Sequence, residues 1–376
     1  MRRGLWLFLL GAAALLADDG QRLLRVDHYV RVRSIAPSMN GQISQVYVRE
    51  VVQAGAALRA SAAAGRGIVL FIHGAGTPAE VAFDVPYADY SWMAFLARAG
   101  YDVFSMDMTG YGRSTRPGPM NEPCNLTKEQ QAQFVTGCAA GTGERATTID
   151  SDWHDIDGVV DYLRKLRGVE KLNLVGWSLG GPRAGGYAAQ HPEKVARIAL
   201  LSPAYPRTPA AGAAAANRPP AGTVQGAPFN TQSRAEFDAN WDRQLGCPDQ
   251  FEMPARESVW AEMLASDPVG ATWGTGVRRA PNVVGSGKGW NAEVVAKMRI
   301  PALFIAPVHD KQALPDGVRR LHTDYGAEQK VFVDLACTSH NALWEKNHLL
   351  MFRASLEWFS SGKVRGSASG IVRLGY

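Results

Sequence analysis

The chain has 376 residues, of which 46% are apolar and 20% charged, a globular composition that excludes wholesale disorder. Lys and Arg number 40 and Asp and Glu 35, and the net excess of +5 is not gathered into a basic stripe, so nucleic acid is not an expected partner. Only one apolar run approaches spanning length, which excludes a polytopic membrane protein.

That run lies at the start. Arg2 and Arg3 precede Leu5 to Leu16, and Ala17 is followed by Asp18 and Asp19. A positive start, a short apolar middle and a small residue at the cut predict a secretory signal peptide over residues 1–17. The expected location is therefore secreted or periplasmic, with no stable membrane span after processing. Export makes the four cysteines legible as two disulfides, for which three pairings are open. Cys124 with Cys138 is the local choice, leaving Cys247 with Cys337. No pair has the C-x-x-C spacing of a zinc or redox site.

His28 to Ile35 and Ile43 to Val52, separated by Gly41, read as an antiparallel pair at a sheet edge. Ile68 to Ile72 is a continuous apolar run ending in His73-Gly74-Ala75-Gly76, which suits a strand buried on both faces of a parallel sheet. Helix over Tyr90–Ala99 and strand over Tyr101–Met106 follow. Helical spacing covers Asp152–Leu166, then strand Leu172–Val175, helix Leu179–Gln190 and strand Val195–Leu201. Strands at Ala302–Ile305 and Lys330–Leu335 and a closing helix at Leu343–Phe359 complete the pattern. Alternating strand and helix predicts a mostly parallel sheet, here eight-stranded, with helices on both faces.

The alternation is interrupted from residue 205 to 298. Pro206 to Gly226 is rich in Ala, Pro and Gly and reads as a flexible connector. Helical patches at Ala235–Leu245 and Arg256–Leu264, with Trp241, Trp260 and Trp273, predict a cap inserted between the sixth and seventh strands. The expected organisation is a core of residues 18–204 and 299–361, a cap of 205–298 and a flexible tail of 362–376.

Gly176-Trp177-Ser178-Leu179-Gly180 follows one strand and opens a helix. A serine on such a turn is held in a strained conformation with its hydroxyl above the sheet, and neighbouring backbone requires small flanking residues. Serine needs a base to take its proton. His340, in the loop after strand Lys330–Leu335, is the candidate among eight histidines, with His309 its best rival. Asp310 follows strand Ala302–Ile305 and is placed in chain order to orient the imidazole. Two amides must hold the oxyanion, and Leu179 and Ala75 are the candidates. Asp107 to Ser114 reads as a structural turn under the site rather than a phosphate loop, since no lysine follows.

On these four ordered motifs the chain resembles the α/β-hydrolase superfamily from Ile68 to Phe359. The resemblance implies a Ser178-Asp310-His340 triad, an oxyanion hole at Ala75 and Leu179, and acyl transfer without metal or organic cofactor. Proline often lies four residues after the family's acid, whereas Pro315 is five after Asp310. The tryptophans favour a hydrophobic carboxylic ester, small or polymeric, as substrate. Lactone, amide or C–C bond cleavage and haloperoxidase chemistry fit the same triad. A non-catalytic lipid-binding module is a further alternative on the same scaffold.

Overall fold

The computed structural model describes residues 21–57, 66–134, 137–138, 144–207 and 227–376. The signal peptide and most of the Pro206–Gly226 connector lie outside the described residues.

A nine-stranded sheet organises the molecule. Its first two strands are β1 (Leu23–Arg33) and β2 (Ile43–Gln53), paired antiparallel at one edge as their alternation predicts. Next come β3 (Ile68–Ile72) and β4 (Asp102–Met106). All five residues of β3 are buried, because helices cover both faces of the sheet here. Between these strands lie α1 (Ala79–Phe83) and α2 (Trp92–Arg98), the latter capped by the Ser91 hydroxyl, which accepts from the Ala94 N–H. Helix α3 (Ile149–Arg167) starts from a capping box at Thr148 and Ser151 and ends at Gly168 in the left-handed conformation. Then follow β5 (Leu172–Trp177), α4 (Gly180–Gln190) and β6 (Val195–Leu201).

The intervening segment holds a two-stranded hairpin, β7 (Phe229–Ser233) with β8 (Val277–Pro281), and between its strands the helices α5 (Arg234–Gln244) and α6 (Met253–Ala265). The main sheet resumes with β9 (Ala302–Pro307), α7 (Pro315–Asp324), β10 (Lys330–Leu335) and α8 (His348–Ser361). The strand order is β1-β2-β4-β3-β5-β6-β9-β10-β11, with β11 formed by Gly370–Leu374. Within this sheet β2 runs opposite to all the other strands.

Two expectations are corrected. The sheet has nine strands rather than eight, and residues 362–376 are not a loose tail. β11 pairs parallel with β10, from Val331 opposite Gly370 to Leu335 opposite Leu374. Val372 and Leu374 are buried while Ile371 is exposed, so the segment alternates as an edge strand should. Its Gly, Ser and Arg content masked four alternating residues.

The two faces carry separate apolar clusters. Phe71, Val103 and Val175 pack with Trp92, Phe352 and Trp358 on one face. Leu70, Phe104 and Leu174 pack with Ile156, Val160, Ala184 and Leu321 on the other. Phe237 and Trp241 of α5 and Trp260 of α6 join the first cluster, and Trp241 stacks on Trp344 at 5.6 Å. Trp241 and Trp260 are therefore core residues that seat α5 and α6 on the rest of the molecule, not an exposed apolar platform.

Both disulfides have the expected partners, Cys124 with Cys138 and Cys247 with Cys337. The second ties the segment after α5 to the loop that carries His340.

Candidate active site

The chain passes from β3 outward to β4 and then back across to β5, so successive connections leave the β3–β5 pair in opposite directions. A crevice outside the C-terminal ends of the strands is expected at such a switch point. The loop His73–Gly76 leaves β3 there, and Ser178 leaves β5 beside it.

Ser178 has φ +59°, the strained left-handed conformation of a tight strand-to-helix turn. The turn is possible only because its neighbours lack side chains. A Cβ at Gly180 would lie 2.3 Å from the Ile72 carbonyl oxygen. A Cβ at Gly74 would lie 2.9 Å from the Ser178 Cβ and 3.0 Å from the Trp177 carbonyl oxygen. The β3 loop is thereby pressed against the serine.

Asp310 and His340 meet across the ends of β9 and β10. His340 Nδ1 lies 2.9 Å from one Asp310 oxygen and 3.1 Å from the other, and both side chains are buried. Asp310 also accepts from the Gln312 and Ala313 amides, each at 2.8 Å. Burial pushes its carboxyl up, but the adjacent His340 and these donors outweigh burial and hold it below the ordinary carboxylate range. Pro315 opens α7 five residues on without disturbing this loop. The rival His309 does not compete: its ring packs where a Cβ at Gly246 would sit.

The His340 loop is fixed to the elbow. The Trp177 indole N–H donates to the His340 carbonyl at 3.0 Å, and the two rings lie 5.5 Å apart. The loop is braced from below by Glu345, which accepts from the Ser339 amide at 2.7 Å, from the Ser339 hydroxyl and from Gln250 at 2.8 Å. Burial pushes the Glu345 carboxyl up to about 7 in spite of these donors.

The candidate oxyanion amides are placed differently from each other. Leu179 is the N-cap of α4, where helix amides favour negative charge. Ala75 is exposed, and the carbonyls of the two residues before it are held inward. His73 and Gly74 both accept through their carbonyls from Arg183 Nη1, at 2.9 and 3.0 Å. In a trans peptide the N–H points opposite to the C=O, so the Ala75 amide faces away from Arg183. Neither the Ala75 nor the Leu179 N–H donates to any acceptor among the described residues.

Arg183 was not visible as a site residue in the sequence. It is fully buried on α4, pairs with buried Asp152 at 2.7 Å and lies over the Tyr111 ring at 5.2 Å. The signal available was a lone charge in Gly180-Gly181-Pro182-Arg183-Ala184-Gly185-Gly186, a run otherwise small and apolar. The Asp107–Ser114 turn is the brace that its pattern predicts. The Met108 N–H donates to His73 Nε2 at 3.1 Å, which leaves the imidazole proton on Nδ1, 2.8 Å from the Gly74 carbonyl. Burial, with the Arg183 cation nearby, drives the His73 pKa well below its ordinary value and keeps the ring neutral.

Comparison with known proteins agrees with this architecture. Residues 67–245 match the family model for the alpha/beta hydrolase fold. A 68-residue stretch is 41% identical to a poly(3-hydroxyalkanoate) polymerase subunit of Allochromatium vinosum, over 18% of this chain and 19% of that one. A 160-residue stretch is 27% identical to a 2-hydroxy-6-oxononadienedioate/2-hydroxy-6-oxononatrienedioate hydrolase of Paraburkholderia phymatum, over 40% of this chain and 42% of that one. The chain thus aligns with less than half the length of these curated relatives. A thermophilic esterase from Thermogutta terrifontis is similar in structure, with a TM-score of 0.55 and 18% identity over 88% of this chain and 97% of that one. That likeness is one of fold. Residues 67–245 thus belong to the α/β-hydrolase superfamily. No helix among the described residues is long and apolar enough to cross a membrane.

Proposed function

We propose that this hydrolase cleaves carboxylic esters with Ser178 as nucleophile, His340 as base and Asp310 as the group that orients it. The observation that carries the reading is the buried Asp310–His340 pair, tied through the Trp177 indole to the turn on which Ser178 is strained.

With Nδ1 engaged by Asp310, the His340 proton acceptor is Nε2. Ser178 Oγ attacks the ester carbonyl as its proton passes to Nε2. The amides of Ala75 and Leu179 take the charge on the carbonyl oxygen. His340 returns the proton to the departing alcohol, and water repeats the sequence on the acyl-enzyme. Export is part of the proposal, supported by the N-terminal residue pattern and by two disulfides, which persist in oxidising compartments.

C–C bond hydrolysis is the second reading, favoured by the partial likeness to the dienedioate hydrolase. Both readings are tested by a fluorophosphonate label and a panel of p-nitrophenyl esters, lactones, amides and vinylogous diketones. Labelling and ester turnover, both lost in Ser178→Ala, are expected. Labelling with turnover of diketones alone would replace the ester reading, and no labelling at all would sink the nucleophile.

A further inference from the structure

The hairpin β7–β8 brings two arginines to adjacent positions with opposite fates. Arg279 is buried and engages all three guanidinium nitrogens: on Asp267 at 2.7 and 3.0 Å, on Asn121 at 3.0 Å and on the Met120 carbonyl. Arg278 points to the other side. Its Nε donates to Gln232, its cross-strand partner, at 2.9 Å. Nη1 and Nη2 carry no hydrogen bond or ion pair among the described residues.

This free end rests on the loop that follows β3. A Cβ at Gly76 would lie 2.6 Å from Nη2 and 2.8 Å from both Cζ and Nη1 of Arg278. Such even distances put the guanidinium flat over the Gly76 Cα, with its in-plane N–H bonds directed sideways. Gly76 is two residues from Gly74, hence at most about 7 Å along the chain from the glycine that touches Ser178. The guanidinium thus rests on the same short loop that packs against the Ser178 turn.

Arg278 is half-buried, and a cation left there without a counter-charge gives up part of its hydration at a cost in free energy. Burial lowers the Arg278 pKa to about 10, with only partial compensation from Tyr111, Glu236 and Asp267. Both of those carboxylates are engaged elsewhere, Asp267 by Arg279 and Glu236 by the Ser233 cap. The undescribed segments contain no Asp or Glu beyond Asp18 and Asp19. The described residues therefore supply no dedicated partner, while Gln232 holds the guanidinium with one edge open. A carboxylate offers the planar, bidentate acceptor that this edge fits, and its single charge matches one guanidinium.

We infer that Arg278 is a carboxylate-binding residue beside the Ser178 turn, selecting esters whose acyl part carries a second, ionised carboxyl group a few carbons from the scissile carbonyl. The inference rests on the ester-hydrolase reading for its substrate, although not for its binding site.

Two measurements test it. The first compares kcat/KM for mono-p-nitrophenyl glutarate and p-nitrophenyl pentanoate, each corrected for alkaline reactivity. The wild type should favour the anionic ester at least tenfold. Arg278→Gln should lower that ratio at least tenfold, and Arg278→Glu should lower it further. A ratio that is near one in the wild type, or unchanged in both variants, overturns the inference. The second titrates glutarate into Ser178→Ala and into Ser178→Ala/Arg278→Gln, with circular dichroism as the check on folding. At least tenfold weaker binding in the double variant is expected, and equal binding overturns the inference. This arm decides the matter even if no ester is hydrolysed, when the nucleophile assignment would fail alone.

Discussion

Arg183 donates to the carbonyl oxygen of Gly74 at 3.0 Å, and so sets the direction of the next amide in the chain, that of Ala75. A buried charge on α4 thereby fixes a peptide plane in the neighbouring loop. Arg183→Met should affect two quantities. Asp152 would be left as an unpaired buried carboxylate, at a cost of about 3–5 kcal/mol in denaturant unfolding. Freedom of the Gly74–Ala75 peptide to rotate should lower kcat by up to ~10²–10³-fold, the worth of one oxyanion donor. Arg183→Met/Asp152→Leu should recover most of the stability but not the kcat. Recovery of both would limit Arg183 to a structural role.

Asp310→Asn should keep the fold and lower ester kcat by roughly 10⁴-fold, because an amide cannot stabilise the charged imidazole and favours the wrong tautomer. Steady-state kinetics at neutral pH checks this, and a loss below about tenfold would remove Asp310 from the mechanism.

Glu345 predicts a pH dependence of stability. Its folded pKa of about 7 lies above the ordinary value of 4.5. Its contribution is therefore fully present below that ordinary value and is lost as pH rises through about 7. Asp155, pushed up to about 7, and Asp107, to about 6, act in the same direction. Thermal melts of the wild type should show this loss between pH 5 and 7.5, and Glu345→Gln should flatten the curve in that window. An unchanged slope would show that Glu345 does not titrate there.

The disulfides should differ in worth. Cys247–Cys337 closes a loop with a sequence separation of 90 residues and Cys124–Cys138 one of 14. Chain entropy assigns them about 4.6 and about 3 kcal/mol. Paired serine substitutions measured by denaturant unfolding should follow that order. Only the 247/337 pair should also reduce kcat, since Cys337 lies three residues before His340.

The backbone of the site was legible because its signals are local. Ile68–Ile72 is apolar at every position, and five such residues ending in His-Gly define a strand buried on both faces. Gly176–Gly180 announces the turn because backbone crowding permits little else there. Chain order then singled out Asp310 and His340. The signals failed where partners are distant. Phe229–Ser233 and Val277–Pro281 are polar strands stabilised by each other, so neither shows a period. Pro315–Asp324 offers only Val318 and Leu321 as an apolar face, too few to mark a helix in the sequence. Arg183 and Arg278 belong to no motif, and what distinguishes them is whether a carboxylate from elsewhere reaches them.

The last strand has a practical consequence for handling the molecule. β11 covers the outer edge of β10, whose amides and carbonyls would otherwise face solvent along Val331–Leu335. Trimming the chain after Ser361 would bare that edge beside an apolar core, a template for joining sheets from separate molecules. Shortened forms should precipitate or associate, and fusions placed directly after Tyr376 should be judged by whether they leave Val372 and Leu374 seated.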